Sequence, residues 1–228
     1  MNFWRCAEYL STSTASRLLL DDNQVDESSL VSTIIQYFTV HDHGYRYQAD
    51  NFKPEEFKSG RVGGHHCIDL VGRANNGTGP IKRILEVKLL LDDSQSSPKR
   101  LVADVLRLAS IRTGIPKGVK RYFVAVGSDS RWDSSYFGLR GIFSNMCAYS
   151  YVPAFTTMGL TAKKVSTSLY EGWQETHEDA VEPYLRPHLP KSIKTQLVGL
   201  HTHKPDPVVG GQMPSLTARI WRIFPGPV

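Results

Sequence analysis

The chain has little cysteine and none of it is arranged in pairs. Cys6, Cys67 and Cys147 are its three cysteines, and no CxxC spacing occurs. That argues against a disulfide scaffold and a structural zinc knuckle, and it fits a reducing compartment. Long apolar runs are missing too. No stretch approaches the roughly 18 apolar residues of a membrane span. Arg5, Glu8 and Arg17 interrupt the apolar residues of the N-terminus, which therefore lacks the core of a signal peptide. The expectation is a soluble, cytoplasmic protein with no membrane association. There is no GxxxxGK[ST], no GxGxxG and no GxSxG. An autonomous P-loop NTPase, a dinucleotide enzyme and an α/β-hydrolase are thereby disfavoured. Charge of one sign is in only small excess: 27 Lys and Arg against 22 Asp and Glu, formally +5. This is a mild lean toward anionic partners, far from a histone-like tail.

What is present is the composition of one globular domain. The 228 residues are 40% hydrophobic and 21% charged, without internal repeats or low-complexity runs. From Ser28 to Phe38, the residues Leu30, Val31, Ile34, Ile35 and Phe38 recur at helical spacing, with Asp26 and Glu27 at the positive end. Gly44 breaks this pattern. Tyr45 to Ala49 alternates like a strand, and Asn51 to Gly64 reads as a loop. Cys67 to Arg73 and Ile81 to Leu90 read as two strands joined by the turn formers Asn75 to Pro80, hence a β-hairpin. Pro98 opens a helix that carries Leu101, Val105, Leu108 and Ile111 on one face. Gly114 to Pro116 ends it, and Tyr122 to Gly127 is a short apolar strand. Further on, a short helix is expected near Leu139 to Tyr149 and a Pro-punctuated loop from Pro183 to Pro190. Ile193 to His201 and Leu216 to Phe224 read as strands able to pair as a C-terminal hairpin across Lys204 to Pro214.

The hairpin carries the chemistry. Side chains alternate along a strand, so Glu86 and Lys88 project together, while Leu85 and Val87 face the core. Asp69 lies seventeen residues before Glu86. Pairing across the turn brings it near Glu86. Two converging carboxylates make a hard oxygen site suited to Mg²⁺ or Mn²⁺, with the Val87 carbonyl as a further ligand. Lys88 beside such an ion would position a water or neutralise a phosphate. Those are the parts that metal-assisted phosphodiester hydrolysis needs.

Ile68-Asp69 followed by Glu86-Val87-Lys88 resembles the PD-(D/E)XK nuclease superfamily, the restriction-endonuclease-like fold. Ile68 stands where the name-giving proline stands, a position at which many members lack it. The resemblance covers roughly residues 27–127, in the order α-β-β-β-α-β. Beside one domain of 1–228 with a C-terminal extension at 128–228 that carries a β-hairpin, read from the chain itself, the resemblance implies an α/β fold with a mixed central sheet flanked by helices. It further implies Asp69 and Glu86 as metal-binding acids and Lys88 as the catalytic lysine. An acid from the first helix would join them: Glu27, with Asp26 and Glu8 competing. The implied activity is a Mg²⁺-dependent DNA endonuclease, with Mn²⁺ as substitute, in DNA repair, restriction or phage defence. Cutting both strands would take a homodimer or a partner subunit. Asp104 and Arg107-Leu108 resemble a pattern found in some members.

Plainer readings stand beside these. Glu86 and Lys88 also fit a solvated surface ion pair, and the whole fold also fits a catalytically silent DNA-binding or assembly subunit of a larger complex. A nuclease acting on RNA is a third reading. Lys99, Arg100, Arg107 and Arg112 fit either a phosphate-binding rim or the solvated face of a helix, with Asp104 and Arg107 pairing at i, i+3. Tyr45, Arg46 and Tyr47 fit nucleic-acid stacking or core packing. Trp221 and Phe224 read as core residues. His65 and His66 are neighbours that point to opposite faces. The pairs His41/His43 and His201/His203 share a face but lack the context of a metal motif.

Overall fold

The computed structural model describes residues 2–20, 25–49, 52, 54, 67–91, 98–128, 155–160, 165–170, 173–176, 187–190, 192–205 and 215–226. His65, His66 and the expected helix near 139–149 lie outside the described residues, as does most of the loops at 51–64 and 204–214 and part of the loop at 183–190.

Three helices and nine strands are described: α1 (Phe3–Leu19), α2 (Glu27–His41), β1 (Tyr45–Gln48), β2 (Leu70–Ala74), β3 (Ile81–Leu90), α3 (Pro98–Ser110), β4 (Lys120–Ser128), β5 (Phe155–Leu160), β6 (Val165–Tyr170), β7 (Trp173–Thr176), β8 (Ser192–His203) and β9 (Leu216–Pro225). The sheet order is β1-β2-β3-β4-β9-β8-β5-β6-β7. β3 and β4 run parallel and every other described pair is antiparallel. The protein is therefore α/β, with a mixed sheet flanked by helices. Its six strands from β1 to β8 carry the two packed layers.

Local chemistry sets the ends of these elements. The Asp26 carboxylate caps α2 by accepting from Ser29 N at 2.7 Å, and Ser29 Oγ accepts from Asp26 N at 3.2 Å. This reciprocal box satisfies two orphan amides and leaves Glu27 in the first turn. The hairpin turn contains a short 3-10 segment at Asn75–Gly77. Asn75 (φ 51°) and Asn76 (φ 52°) adopt the left-handed conformation that asparagine tolerates, and Gly77 follows at φ 98°. The turn closes with Gly79 N donating to Ala74 O at 3.0 Å.

Each face of the sheet buries a core. On one side Leu70, Leu85, Val87, Leu89, Val124 and Ile220 pack under α1 and α2, against Leu10, Ile34 and Phe38. On the other, Val71, Ile84, Leu90, Phe123, Trp221 and Ile223 pack under α3, against Leu101, Val105 and Leu108. Leu85 and Val87 do face a core, but the strand's other face is covered as well. Glu86 and Lys88 thus open beneath a helix and not onto free solvent.

Two features depart from the sequence reading. The C-terminal strands pair as expected, with Leu197 opposite Trp221. They are no appendage, however: β9 inserts beside β4, with Phe123 opposite Trp221, so it stands in the middle of the strand order. The N-terminal segment, which carries no expected element, is helix α1. Its buried face is made mostly of small residues (Cys6, Ala7, Leu10, Ser11, Thr14, Ala15), which lets it sit close on β8 and β9. Gly199 makes room there, since a Cβ at that position would run into the Phe3 carbonyl.

Candidate active site

The register Leu70 opposite Leu85, continued by one residue, sets Asp69 across from Glu86. An Asp69 carboxylate oxygen accepts from the Val87 N–H at 2.8 Å. This bond ties the start of β2 to the middle of β3. Of Val87, whose carbonyl is the expected extra ligand, the structure shows the N–H engaged in this way. Glu86 is 5% exposed and lies on the α3 side of the strand. Two residues on, Lys88 Nζ lies 3.2 Å from Glu27 Oε2, 3.6 Å from Asp104 Oδ2 and 3.8 Å from Glu86 Oε1. Arg107 Nη2 is 3.7 Å from the same Glu86 oxygen and pairs with Asp104 one helical turn away.

Asp69, Glu86, Lys88 and Glu27 are therefore brought to one place. Among the competing acids, Asp26 is spent on the helix cap and Glu8 is exposed on α1. Asp104 and Arg107 join the group, and Asp104 is buried. The solvated-helix-face reading of this pair is thus corrected: their i, i+3 pairing is real but faces inward. Helical spacing already carried the signal, because Asp104 sits three residues after Leu101 and four before Leu108, on the apolar stripe.

The electrostatics are those of crowded, desolvated carboxylates. Burial pushes the Glu86 carboxyl up to about 8, the Asp69 carboxylate adds to the shift, and Lys88 and Arg107 oppose it. Contacts of 3.7 and 3.8 Å are too long for short charged hydrogen bonds, so they do not repay the lost solvation. Asp69 is also raised by burial, against the pull of the Val87 N–H and Lys88.

Among the described residues no group of three or more His, Cys, Asp and Glu is arranged to hold a metal ion. The Asp69–Glu86 pair still fits Mg²⁺ or Mn²⁺. Both donors are hard oxygens, both carboxyls are held against ionisation, and Mg²⁺ commonly binds through one or two carboxylates, completing its shell with water and phosphate. A divalent cation would relieve the repulsion that raises Glu86.

The remaining expectations fall elsewhere. Arg112 donates to the Gly226 carbonyl at 3.3 Å. Tyr47 is no stacking platform: it is buried, its ring lies on Phe38, and its hydroxyl donates to Asp42 at 2.8 Å. Arg83 covers the Tyr45 ring at 3.9 Å and bonds to Asp42 and the Tyr47 hydroxyl. Trp221 is core, whereas Phe224 is half-buried at the sheet end beneath Arg222. His41 packs on Tyr37, and His201 Nδ1 is 2.7 Å from Ser11 Oγ. No described helix is long and apolar enough to cross a membrane. No protein-family profile matches the chain, and neither curated proteins nor solved structures give a match.

Proposed function

We propose that the chain is a metal-dependent DNA endonuclease of restriction-endonuclease-like architecture. The observation that carries this reading is the convergence of Asp69, Glu86 and Lys88 on one face of a hairpin, under a helix that adds Arg107. The order α2-β1-β2-β3-α3-β4 is consistent with it.

In this reading Asp69 and Glu86 hold Mg²⁺ or Mn²⁺. When bound, the ion supplies an activated water and polarises a phosphoryl oxygen. The chain's own residues do the rest. Lys88 carries its positive charge to the scissile phosphate and orients the attacking water. The water oxygen would bond to phosphorus and release its proton to solvent, while the bond to the leaving sugar oxygen breaks and that oxygen takes up a proton from solvent. Glu27 and Asp104 hold the Lys88 ammonium from two sides. Arg107 counters the charge of Glu86 and fixes its orientation. Cutting both strands of a duplex would take a second copy or a partner subunit.

The test is incubation of the purified protein with plasmid DNA and MgCl₂ or MnCl₂, beside a Lys88→Ala variant. Metal-dependent nicking that disappears in the variant supports the enzyme. One observation favours a second reading, a silent DNA-binding or assembly subunit: Lys88 is already engaged by three carboxylates. Equal background in both proteins, with DNA retarded on a gel, would select that reading.

A further inference from the structure

Glu86, Lys88, Asp104 and Arg107 close a ring in which the signs of charge alternate. Glu86 Oε1 faces both cations, Lys88 Nζ at 3.8 Å and Arg107 Nη2 at 3.7 Å. Asp104 stands opposite and divides its two oxygens between the same cations. Its Oδ2 lies 3.6 Å from Lys88 Nζ, and its Oδ1 pairs with Arg107 Nη2. One guanidinium nitrogen is thus shared by two carboxylates, but unequally. It is close to Asp104 and distant from Glu86, which is left with two long contacts.

Asp104 is 3% exposed, on the stripe of α3 that also buries Leu101 and Leu108. A carboxylate in such a place destabilises the fold unless it is paired. Its pair with Arg107 comes from α3 itself, because side chains at i and i+3 meet on one helical face. Helix geometry therefore holds the guanidinium on Asp104, whereas Glu86 belongs to β3 in the layer below. Without the Asp104 charge, Glu86 is a carboxylate within reach of the same nitrogen. A movement of about 1 Å would turn the 3.7 Å contact into a charge-assisted hydrogen bond. Lys88 keeps a second hold, Glu27 at 3.2 Å, so the change would fall on Arg107.

We infer, on the metal-dependent reading above, that Asp104 is a positioning residue: it keeps Arg107 off Glu86, so that the Glu86 carboxylate stays open to a divalent ion. A guanidinium and a divalent cation compete for the same carboxylate oxygen. A direct ion pair there would have to break before the ion could bind. Asp104 removes that competition without leaving the Glu86 charge unopposed. The two cations stay near enough to counter it and too far away to bond it closely. When the ion takes Glu86, Arg107 remains anchored on α3 and does not follow the carboxylate.

Mn²⁺ titration of the full chain without DNA, followed by electron paramagnetic resonance, tests this in a double-mutant cycle. Asp104→Asn keeps the shape and removes the charge. It should weaken Mn²⁺ binding by about tenfold, although Asp104 is no ligand. Arg107→Gln should raise the affinity only slightly by itself, and by about tenfold when added to Asp104→Asn. Equal factors in the two backgrounds are what charge removal at a distance gives, and they overturn this inference alone. A wild-type chain that binds no Mn²⁺ overturns it together with the metal-dependent reading. A measurement on the unaltered chain decides the matter should Asp104→Asn not fold. In side-chain nitrogen NMR, with Arg107→Gln to assign the signals, Arg107 should show separate Nη resonances, the mark of a held guanidinium. They should persist in EDTA and at saturating Mg²⁺. Averaged resonances in either state would show that Asp104 does not hold Arg107, and overturn the inference.

Discussion

Glu86 is a carboxyl that the fold prefers to keep protonated. Its ordinary value is 4.5 and burial pushes it up to about 8, with Asp69 shifting in the same direction. Between those pH values the folded chain holds a proton that the unfolded chain has lost. Stability without metal therefore falls as pH rises through that window and levels off above about 8. Glu86→Gln should flatten this slope and raise stability at pH 8 by about 1 kcal/mol. Urea unfolding of both proteins at several pH values checks this, and parallel curves would count against it. The metal-binding form is the deprotonated one, so Mn²⁺ affinity is expected to rise over the same window. At this scale the sequence was informative. Strand alternation and a tight turn sufficed to bring Asp69, Glu86 and Lys88 together. Arg107 and Asp104 are legible in the sequence only as alternatives, site residues or the solvated face of a helix, because whether a charged pair on a helix faces water or a sheet depends on the layer it packs against.

Among the elements, the hairpin and α3 follow directly from local pattern. β3 has the bounds its apolar run suggests, Ile81–Leu90. α1 is not legible in the local pattern, for a physical reason. Its buried face is dominated by Cys, Ala, Ser and Thr, which give a weak apolar stripe. Small side chains nevertheless serve close packing on a sheet better than large ones do. Leu10 is the large exception, fully buried in the cluster shared with Phe38 and Ile220. Leu10→Ala should cost about 2–5 kcal/mol in urea unfolding. A loss below about 1 kcal/mol, the size of a surface substitution, would mean that α1 is not docked as described. The pairing of β8 with β9 was also readable. The insertion of β9 beside β4 was not, since two strands a hundred residues apart leave no local trace of their pairing.

For the molecule as a whole, that insertion decides what counts as the core. Residues 27–127 contain the candidate site, yet Trp221, Ile223, Ala218 and Ile220 fill both hydrophobic layers around it. A fragment ending at Ser128 would strip the partner from β4 and expose Phe123, Val124 and Val126. An unpaired apolar edge of this kind invites aggregation. We expect that fragment to be insoluble or to unfold without a cooperative transition, as judged by circular dichroism during heating. A soluble fragment with a sharp melt would show that the first half is self-sufficient.

The place of β9 also constrains biogenesis. A nascent chain leaving the ribosome presents β3, α3 and β4 long before residues 216–225 have been made. Closure must wait until residues 216–225 have emerged. During that interval the β4 edge would need shielding by a chaperone. The carboxylate cluster would acquire its rigid setting only once translation had delivered the strand that seals the sheet.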